Sequence, residues 1–493
     1  MAKLAFVGAG NVELTRKILS DLMSSPELAG TLRVALHDID PARLATAETL
    51  ARRLDAETAA GAVIEAGADR EAVLAGADFV ICQIDVGGYD AALSDFEIPC
   101  RYGVRQTVGD TLGLGGIFRG LRAIPVLLGL ARDMVRLCPQ AWLLNYTDPM
   151  ATLCAAVIAG TPLRRVAGLC HSVRDTHALL ADLIGRELGD IDFLTAGLNH
   201  QAFVLRFESG GQSLYGDLDL VMADDPELRS HARAEIYRRF GYFPTESSEH
   251  AAEYVPWFLP HEKEVLRLDL PLNESLRRRA RKLDAYERLR GALAAGEPVL
   301  ARWKHFEMAS EVIHSMLTGM PREVQLTLPN DGLIDNLPPS ACVEVPARVD
   351  GGGISPLPVG SLPVQLAALN RTFLNVVELT MTAALEERRS AVYQAAMLDP
   401  NTSATLPLAA IEAVCDELVQ AHAAFLPAGI TRGETGRITH SAASRLTYGD
   451  AGRIAHSGAS RLTYGDAGRI ANGEAGRPTY GDSARITDRE GGR

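Results

Sequence analysis

The fold is decided by an N-terminal run that reads Leu4-Ala5-Phe6-Val7-Gly8-Ala9-Gly10-Asn11. An apolar segment of β type comes first, two glycines follow, and apolar positions then recur at helical spacing over 12–22. Strand, glycine turn and helix in this order are typical of a dinucleotide-binding loop, in which a pyrophosphate lies on the helix N-terminus. Gly8, Gly10 and Asn11 are therefore candidate cofactor-binding residues, although Glu13 occupies the position of the usual third glycine. A tight turn without a ligand is the alternative.

The segments that follow repeat the alternation of strand and helix. An apolar run at 32–36 leads to Asp38, close to where a ribose-binding acid belongs, and a helix is predicted from Pro41 to Leu54. Further strands are predicted at 79–84 and 142–144, with a helix over 120–138 between them. This alternation predicts an α/β fold with a Rossmann-like, doubly wound parallel sheet.

Three regions differ in pattern along the chain. Residues 1–196 are predicted to form the Rossmann-like domain, and 197–431 a second, mostly helical α+β domain that completes the substrate and metal site. Residues 432–493 contain a sixteen-residue repeat that has few large apolar side chains. We expect this tail to be disordered, because its burial could not offset the backbone entropy of folding, and a partner-binding array is the alternative.

Composition limits the classes of partner. The 493 residues have a formal net charge of −13 and a pI near 5.5, which disfavours binding to nucleic acid or to an anionic membrane. The seven cysteines lack paired spacing, and we expect neither a signal peptide nor a segment of transmembrane length. These features predict a cytoplasmic protein with reduced thiols and a small-molecule substrate.

Polar groups follow three predicted strands directly, in 145–149, 168–172 and 197–200. Because the carboxyl ends of strands in an open parallel sheet face the ligand crevice, we expect these groups to meet there. Cys170 and His200 could hold a metal whose other positions are taken by substrate and water. A buried cysteine and a core histidine are the alternative.

A glycine-rich segment at 106–119 contains Asp110 and Arg119. Such a segment packs poorly as core, and one acid and one arginine among four glycines suit a loop that closes on a polar ligand. A flexible exposed connection is the alternative.

Five segments in this order resemble glycoside hydrolase family 4, the NAD- and manganese-dependent glycosidases. They are Gly8-Ala9-Gly10, the run 109–119, the run 144–150, Cys170-His171-Ser172 and Gly197-Leu198-Asn199-His200. The resemblance extends to about residue 427 and leaves out the repeats. It implies NAD and Mn²⁺ as cofactors and a homodimer.

The resemblance also implies roles for individual residues. Cys170 and His200 would bind the metal, and His171 would be the proton donor. Asp110, Asn145 and Arg119 would hold the sugar, and Asp38 would complete the NAD site with the glycine turn.

The general base is expected in the segment 240–257, where the family uses a Tyr or an Asp. Tyr242 is the first choice and Glu246 the second, because the register within this segment is open.

The implied reaction is oxidation at carbon 3 of the sugar by NAD, elimination after loss of the carbon 2 proton, addition of water and re-reduction. His171 and Asp110 indicate the group that acts on unphosphorylated α-glycosides, and within it the α-galactosidases. An α-glucosidase or α-uronidase of the same family is the nearest alternative. An NAD-dependent dehydrogenase of a 2-hydroxy acid or sugar, and a nonenzymatic binding protein, are the others.

Overall fold

The computed structural model describes residues 1–301 and 306–432. The strands in these ranges are β1 Ala2–Val7, β2 Leu32–His37, β3 Val63–Ala66, β4 Phe79–Cys82, β5 Trp142–Asn145, β6 Val166–Gly168, β7 Asp192–Leu198, β8 Gln201–Ser209, β9 Gln212–Ser213, β10 Phe243–Pro244, β11 Arg322–Pro329, β12 Cys342–Asp350 and β13 Gly353–Pro356. The helices are α1 Val12–Met23, α2 Pro41–Thr58, α3 Arg70–Leu74, α4 Gly88–Arg101, α5 Gly113–Leu137, α6 Met150–Gly160, α7 Ser172–Leu183, α8 Tyr215–Asp224, α9 Pro226–Arg229, α10 Ala232–Phe240, α11 Ser248–Glu253, α12 Glu262–Arg267, α13 Glu274–Ala295, α14 Met308–Thr318, α15 Val364–Leu385, α16 Arg389–Leu398, α17 Pro400–Thr405, α18 Leu408–Ala421 and α19 Ala428–Arg432.

The first six strands form the parallel sheet that the sequence predicts. Their spatial order is β3-β2-β1-β4-β5-β6, and β1 pairs in parallel with both β2 and β4. The strand order reverses at β1, and Val7 at its carboxyl end lies opposite His37 on one side and Cys82 on the other. Ligands of open α/β sheets bind at such a reversal. The Rossmann-like prediction is confirmed.

The second half of the chain extends the same sheet. Beyond β6 the order continues β11-β12-β7-β8-β10, and these added pairings are antiparallel. The predicted domain boundary between residues 196 and 197 falls inside β7, and strands from both sides of it belong to one sheet. The second half also contains more β-strand than expected. Its strands extend one edge of the first sheet, and the hydropathy of a segment does not reveal whether it will add to an existing sheet.

The glycine-rich segment is only partly a loop. Helix α5 begins at Gly113, seven residues before the predicted start, and a Cβ on Gly116 would lie 2.4 Å from the carbonyl carbon of Thr111. The glycines therefore allow the first turn of α5 to touch the loop before it. With 25 residues α5 is long and apolar enough to cross a membrane, contrary to the expectation for the sequence, but 78% of its most apolar window is buried inside the protein.

The C-terminal part of the second half is helical, as predicted. Helices α15 and α16 are separated by a break at which Glu387 has a φ of 52°. The predicted disordered tail lies outside the described residues except for Arg432, which ends α19.

A half-buried histidine makes the stability of this part of the protein depend on pH. The ring of His177 on α7 stacks on Phe193 with centroids 3.9 Å apart, and its Nε2 lies 2.7 Å from Oγ1 of Thr195. Burial lowers the pKa of His177 to about 4. Between pH 4 and pH 6.5 the imidazole of His177 is therefore mostly neutral in the folded protein and mostly protonated in the unfolded chain.

We expect this group to lower the free energy of unfolding as the pH falls from above 6.5 towards 4. Because the pKa of His177 is lower in the folded protein than in the unfolded chain, its full contribution to stability is present above the unfolded pKa. The free energy of unfolding therefore falls by about 2 kcal/mol between pH 7.5 and pH 5. Urea unfolding of wild type and His177→Gln at the two pH values tests this. The variant should lose less stability on acidification, whereas the exposed control His261→Gln should match wild type. Equal losses in all three proteins would contradict the assignment.

Candidate active site

The glycine turn after β1 is built for close backbone approach. Gly8 has a φ of 87°, and a Cβ there would lie 2.7 Å from the carbonyl oxygen of Gln83 at the end of β4. The amide of Gly10 donates to Oδ2 of Asp38 at 2.7 Å, and a Cβ on Gly10 would lie 2.6 Å from that same oxygen. Neither glycine can be replaced without moving the backbone or Asp38.

The start of α1 is open to a ligand. Asn11 is its N-cap residue, but its side chain makes no capping hydrogen bond to the helix. Glu13 is exposed at the protein surface. A helix N-terminus with free amides attracts an anion, so the turn fits a pyrophosphate. The structure thus brings Gly8, Gly10, Asn11 and Asp38 together at the reversal of the strand order.

Cys170 and His200 meet as expected, although β6 and the β7–β8 turn are far apart in sequence. Sγ of Cys170 lies 3.3 Å from Nε2 of His200. Oε2 of Glu246 lies 3.9 Å from the same nitrogen, and one ligand atom of each residue lies within 4.8 Å of the others. The thiolate and the imidazole at this separation fit a divalent cation, and the carboxylate lies close enough to be a third ligand or to act on a bound substrate.

Backbone and hydrogen bonds orient His200. It has a φ of 68° in the two-residue turn between β7 and β8, a conformation that costs a non-glycine residue energy and is common at functional sites. Its Nδ1 lies 2.9 Å from Oγ1 of Thr111 and 3.5 Å from the hydroxyl of Tyr254. Nε2 is therefore free to face Cys170, as in metal sites whose histidine is held through its second nitrogen.

Asp110 faces this cluster from the loop before α5. Its Oδ1 lies 3.6 Å from Nε2 of His250, and Nδ1 of His250 lies 3.3 Å from Glu246. Burial opposes ionisation of Asp110, but the neighbouring His250 and His200 lower its pKa overall. Burial likewise opposes protonation of His250, and Glu246 and Asp110 raise its pKa. Charged partners thus keep Asp110 ionised in a half-buried position.

His171 is held by a buried carboxylate. Its Nε2 lies 2.7 and 2.9 Å from the two carboxylate oxygens of Glu307, and the hydroxyl of Tyr146 donates to the same carboxylate at 2.9 Å. Burial opposes ionisation of Glu307, yet the bond from His171 lowers its pKa to about 2. His171 itself remains partly exposed beside Cys170, so one edge of its ring can reach a ligand.

Two expected sugar contacts have other partners. Nδ2 of Asn145 donates to the backbone carbonyl of Thr147 at 2.9 Å, and Oδ1 of Asn145 accepts from the backbone N–H of Thr147 at 3.2 Å. The Asn145 side chain therefore shapes the turn after β5. Nε of Arg119 donates to the carbonyl of Asp148 at 2.9 Å, and Nη2 lies 3.8 Å from Asp85. Arg119 still borders the site, whereas Asn145 is fully buried beneath it.

The two candidate bases lie in different surroundings. Tyr242, directly before β10, packs on an apolar cluster that contains Phe203 and Val255, and its ring centre is 6.4 Å from that of Tyr215. Glu246, two residues after β10, adopts a φ of 64° and joins Cys170 and His200. The structure thus brings the second choice to the cluster.

Several buried oxygens around His200 have no hydrogen-bond partner among the described residues. They include Oδ1 of Asp148, Oδ1 of Asn199 and Oε2 of Glu344. Burial raises the pKa of Glu344 to about 8. Unsatisfied buried acceptors cost free energy, so their concentration here fits a site that holds a cation and sugar hydroxyls.

Sequence reasoning missed several residues of this site: His250, Glu253, Tyr254, Glu307 and Glu344. Two signals could have found some of them. His250, Glu253 and Tyr254 have helical i, i+3, i+4 spacing, which places them on one face of a helix. Glu344 is a lone acid within the apolar run of β12. Glu307 offers no comparable pattern.

Known proteins resemble this chain along most of its length. Residues 3–186 match the family described as Family 4 glycosyl hydrolase, and residues 195–402 match the Family 4 glycosyl hydrolase C-terminal domain. The α-galactosidase of Bacillus subtilis (strain 168) is 41% identical over 432 residues, which cover 87% of this chain and 99% of that protein. The α-galactosidase of Rhizobium meliloti (strain 1021) is 32% identical over 441 residues, 86% of this chain and 89% of that protein.

Solved structures share the fold. The 6-phospho-β-glucosidase from Thermotoga maritima, determined with manganese, NAD⁺ and glucose-6-phosphate, superposes with a TM-score of 0.72 at 19% identity. The match covers 86% of this chain and 99% of that one. The two family matches span most of the chain and include the glycine turn, Cys170 and His200. This chain therefore belongs to glycosyl hydrolase family 4.

Proposed function

We propose that the protein hydrolyses unphosphorylated α-galactosides with NAD and Mn²⁺ as cofactors. The observation that carries this proposal is the meeting of Cys170, His200 and Glu246 beside the carboxylate of Asp110. The names of the two relatives support the galactoside, since both are α-galactosidases and both align along most of the chain.

The residues present fit both cofactors. The glycine turn with Asn11 and Asp38 would hold NAD, and Cys170 and His200 would hold Mn²⁺. When bound, NAD would supply reversible hydride transfer and the cation would supply Lewis acidity for sugar oxygens. The proton transfers and the binding of the sugar are then carried out by side chains of the protein.

We assign those side chains as follows. His171, oriented by Glu307, protonates the departing glycosidic oxygen. Glu246 removes the proton from carbon 2, because its carboxylate lies at the cluster while Tyr242 packs on an apolar one. Asp110 accepts hydrogen bonds from sugar hydroxyls, and Arg119 borders the same space.

The charge of the site supports a neutral sugar. The carboxylates of Asp110 and Glu246, whose pKa values the neighbouring histidines lower, face it, and Arg119 is already engaged by Asp85 and by the carbonyl of Asp148. A uronate or a 6-phosphate would bring a further negative charge against these carboxylates, which disfavours such substrates. An α-galactoside is therefore preferred over an α-galacturonide or a phosphorylated sugar.

A panel of nitrophenyl glycosides tests the proposal. With NAD, Mn²⁺ and a thiol reductant, we expect hydrolysis of the α-galactoside to exceed that of the α-glucoside, the galacturonide and the 6-phosphates. NADH should not accumulate, because each hydride is returned within one turnover. Stoichiometric NADH would favour the dehydrogenase alternative, and inactivity on every glycoside would favour a binding protein.

A cytoplasmic location and a homodimer also belong to this proposal. Cys170 must remain a reduced thiol to bind a metal, which requires a reducing compartment. The described cysteines are all free thiols, consistent with that requirement. The homodimer is an expectation from the family resemblance.

A further inference from the structure

A buried carboxylate holds the loop that carries Asp110. Glu253, the last residue of α11, accepts hydrogen bonds from the amides of Thr107, Val108 and Gly109 at 2.6 to 3.0 Å. Glu253 is only 2% exposed to solvent. Three successive amides that converge on one carboxyl group form a nest, which restrains the backbone torsions between them.

Asp110 follows this nest directly. Gly109 has a φ of 56°, and a Cβ there would lie 3.0 Å from the ring of Phe96, so the loop has little freedom on its other side. Further bonds hold the loop: the hydroxyl of Thr107 donates to the carbonyl of Glu249 on α11 at 2.8 Å, and the carbonyl of Thr107 accepts from the amide of Ser275 on α13 at 3.2 Å. The backbone that leads to Asp110 is thus held by α11 and by the first turn of α13.

The same stretch of chain positions the cluster that Asp110 faces. His250 contacts Asp110, and Tyr254 contacts His200. Because Glu253 lies between these two residues in sequence, its bonds to the 107–109 backbone fix the position of Asp110 relative to His250 and His200. A shift of the loop by 1 Å would separate Asp110 from His250, which are already 3.6 Å apart.

We propose that Glu253 is a positioning residue for substrate recognition, which fixes the 107–109 backbone so that Asp110 meets the sugar hydroxyls in one geometry. This inference rests on the proposed function through the role of Asp110. Glu253 does not touch the sugar; it acts through the loop.

Kinetics of Glu253→Gln test the proposal in the enzyme loaded with NAD and Mn²⁺. The glutamine has the same size, but its uncharged NH₂ group would replace the Oε2 that accepts from the amide of Gly109 at 2.9 Å, so two donors would oppose each other there. We expect kcat/KM for the nitrophenyl α-galactoside to fall by about 10- to 100-fold, mainly through KM, since misplacement of about 1 Å has effects of this size. Affinity for NAD should not change. Glu249→Gln, on the same helix with a partly exposed side chain, is the matched control.

A double-mutant cycle with Asp110→Asn separates positioning from general stability. If Glu253 acts through Asp110, Glu253→Gln should change the affinity for galactose, measured by calorimetry, by less than about twofold once Asp110 is replaced. Equal losses in both backgrounds would show a structural role and overturn the proposal, as would an unchanged kcat/KM in the single variant. Should Glu253→Gln fail to fold, Glu253→Asp serves, because its side chain is one methylene shorter and its carboxylate cannot reach the three amides that Oε1 of Glu253 contacts. A wild-type enzyme without glycosidase activity would instead refute the proposed function.

Discussion

Replacing Cys170 by serine is expected to abolish glycoside hydrolysis and to leave the fold intact. Sγ of Cys170 is 3.3 Å from Nε2 of His200, and a hydroxyl is a far weaker ligand than a thiolate. Loss of groups that only support a metal ligand already costs 10- to 100-fold in affinity, so loss of the ligand itself should exceed about 100-fold. Titration of Mn²⁺ followed by electron paramagnetic resonance measures this directly.

The matched control is Cys100→Ser, since Cys100 is exposed on α4 and free. This variant should retain wild-type activity and Mn²⁺ affinity, and both variants should bind NAD equally, because the glycine turn is untouched. Thiol alkylation should reproduce the loss at Cys170. Activity that survives chelation and alkylation together would remove Cys170 from the site.

Hydrolysis in deuterium oxide is expected to give galactose labelled at carbon 2. Oxidation at carbon 3, as in the family that the chain resembles, acidifies the carbon 2 proton, and the proton that replaces it comes from the base or from solvent. Ordinary glycosidases work through an oxocarbenium-like transition state and leave carbon 2 untouched. Proton NMR of the product therefore distinguishes the two mechanisms, and unlabelled product from NAD-free enzyme would refute the proposed one.

The same experiment identifies the base. Glu246→Gln should lose both hydrolysis and carbon 2 exchange by about 10²- to 10⁴-fold, the usual contribution of a general base. Tyr242→Phe should retain exchange, because its ring lies in the apolar cluster of Phe203 and Val255. The reverse pattern, with exchange lost only in Tyr242→Phe, would restore the tyrosine as the base.

Local rules were enough to predict much of this protein from its sequence. The run from Leu4 to Asn11 predicts strand, turn and helix, and the structure has β1, Gly8 with positive φ, and α1. These features depend on residue type and on short-range spacing, which a sequence displays. Cys170 and His200 also meet as predicted, but β7 runs antiparallel to β6, so the rule for parallel strand ends does not account for the position of His200.

Tertiary structure alone decided the rest of the site. Tyr242 and Glu246 stand four residues apart around β10, and pairing of Phe243 with Val204 determines which of them reaches His200. The nest of Glu253 joins groups 144 to 146 residues apart in sequence. Such contacts depend on the register of strands and helices that are distant in sequence. Hydropathy and spacing do not encode that register, because it is set by the packing of the whole body.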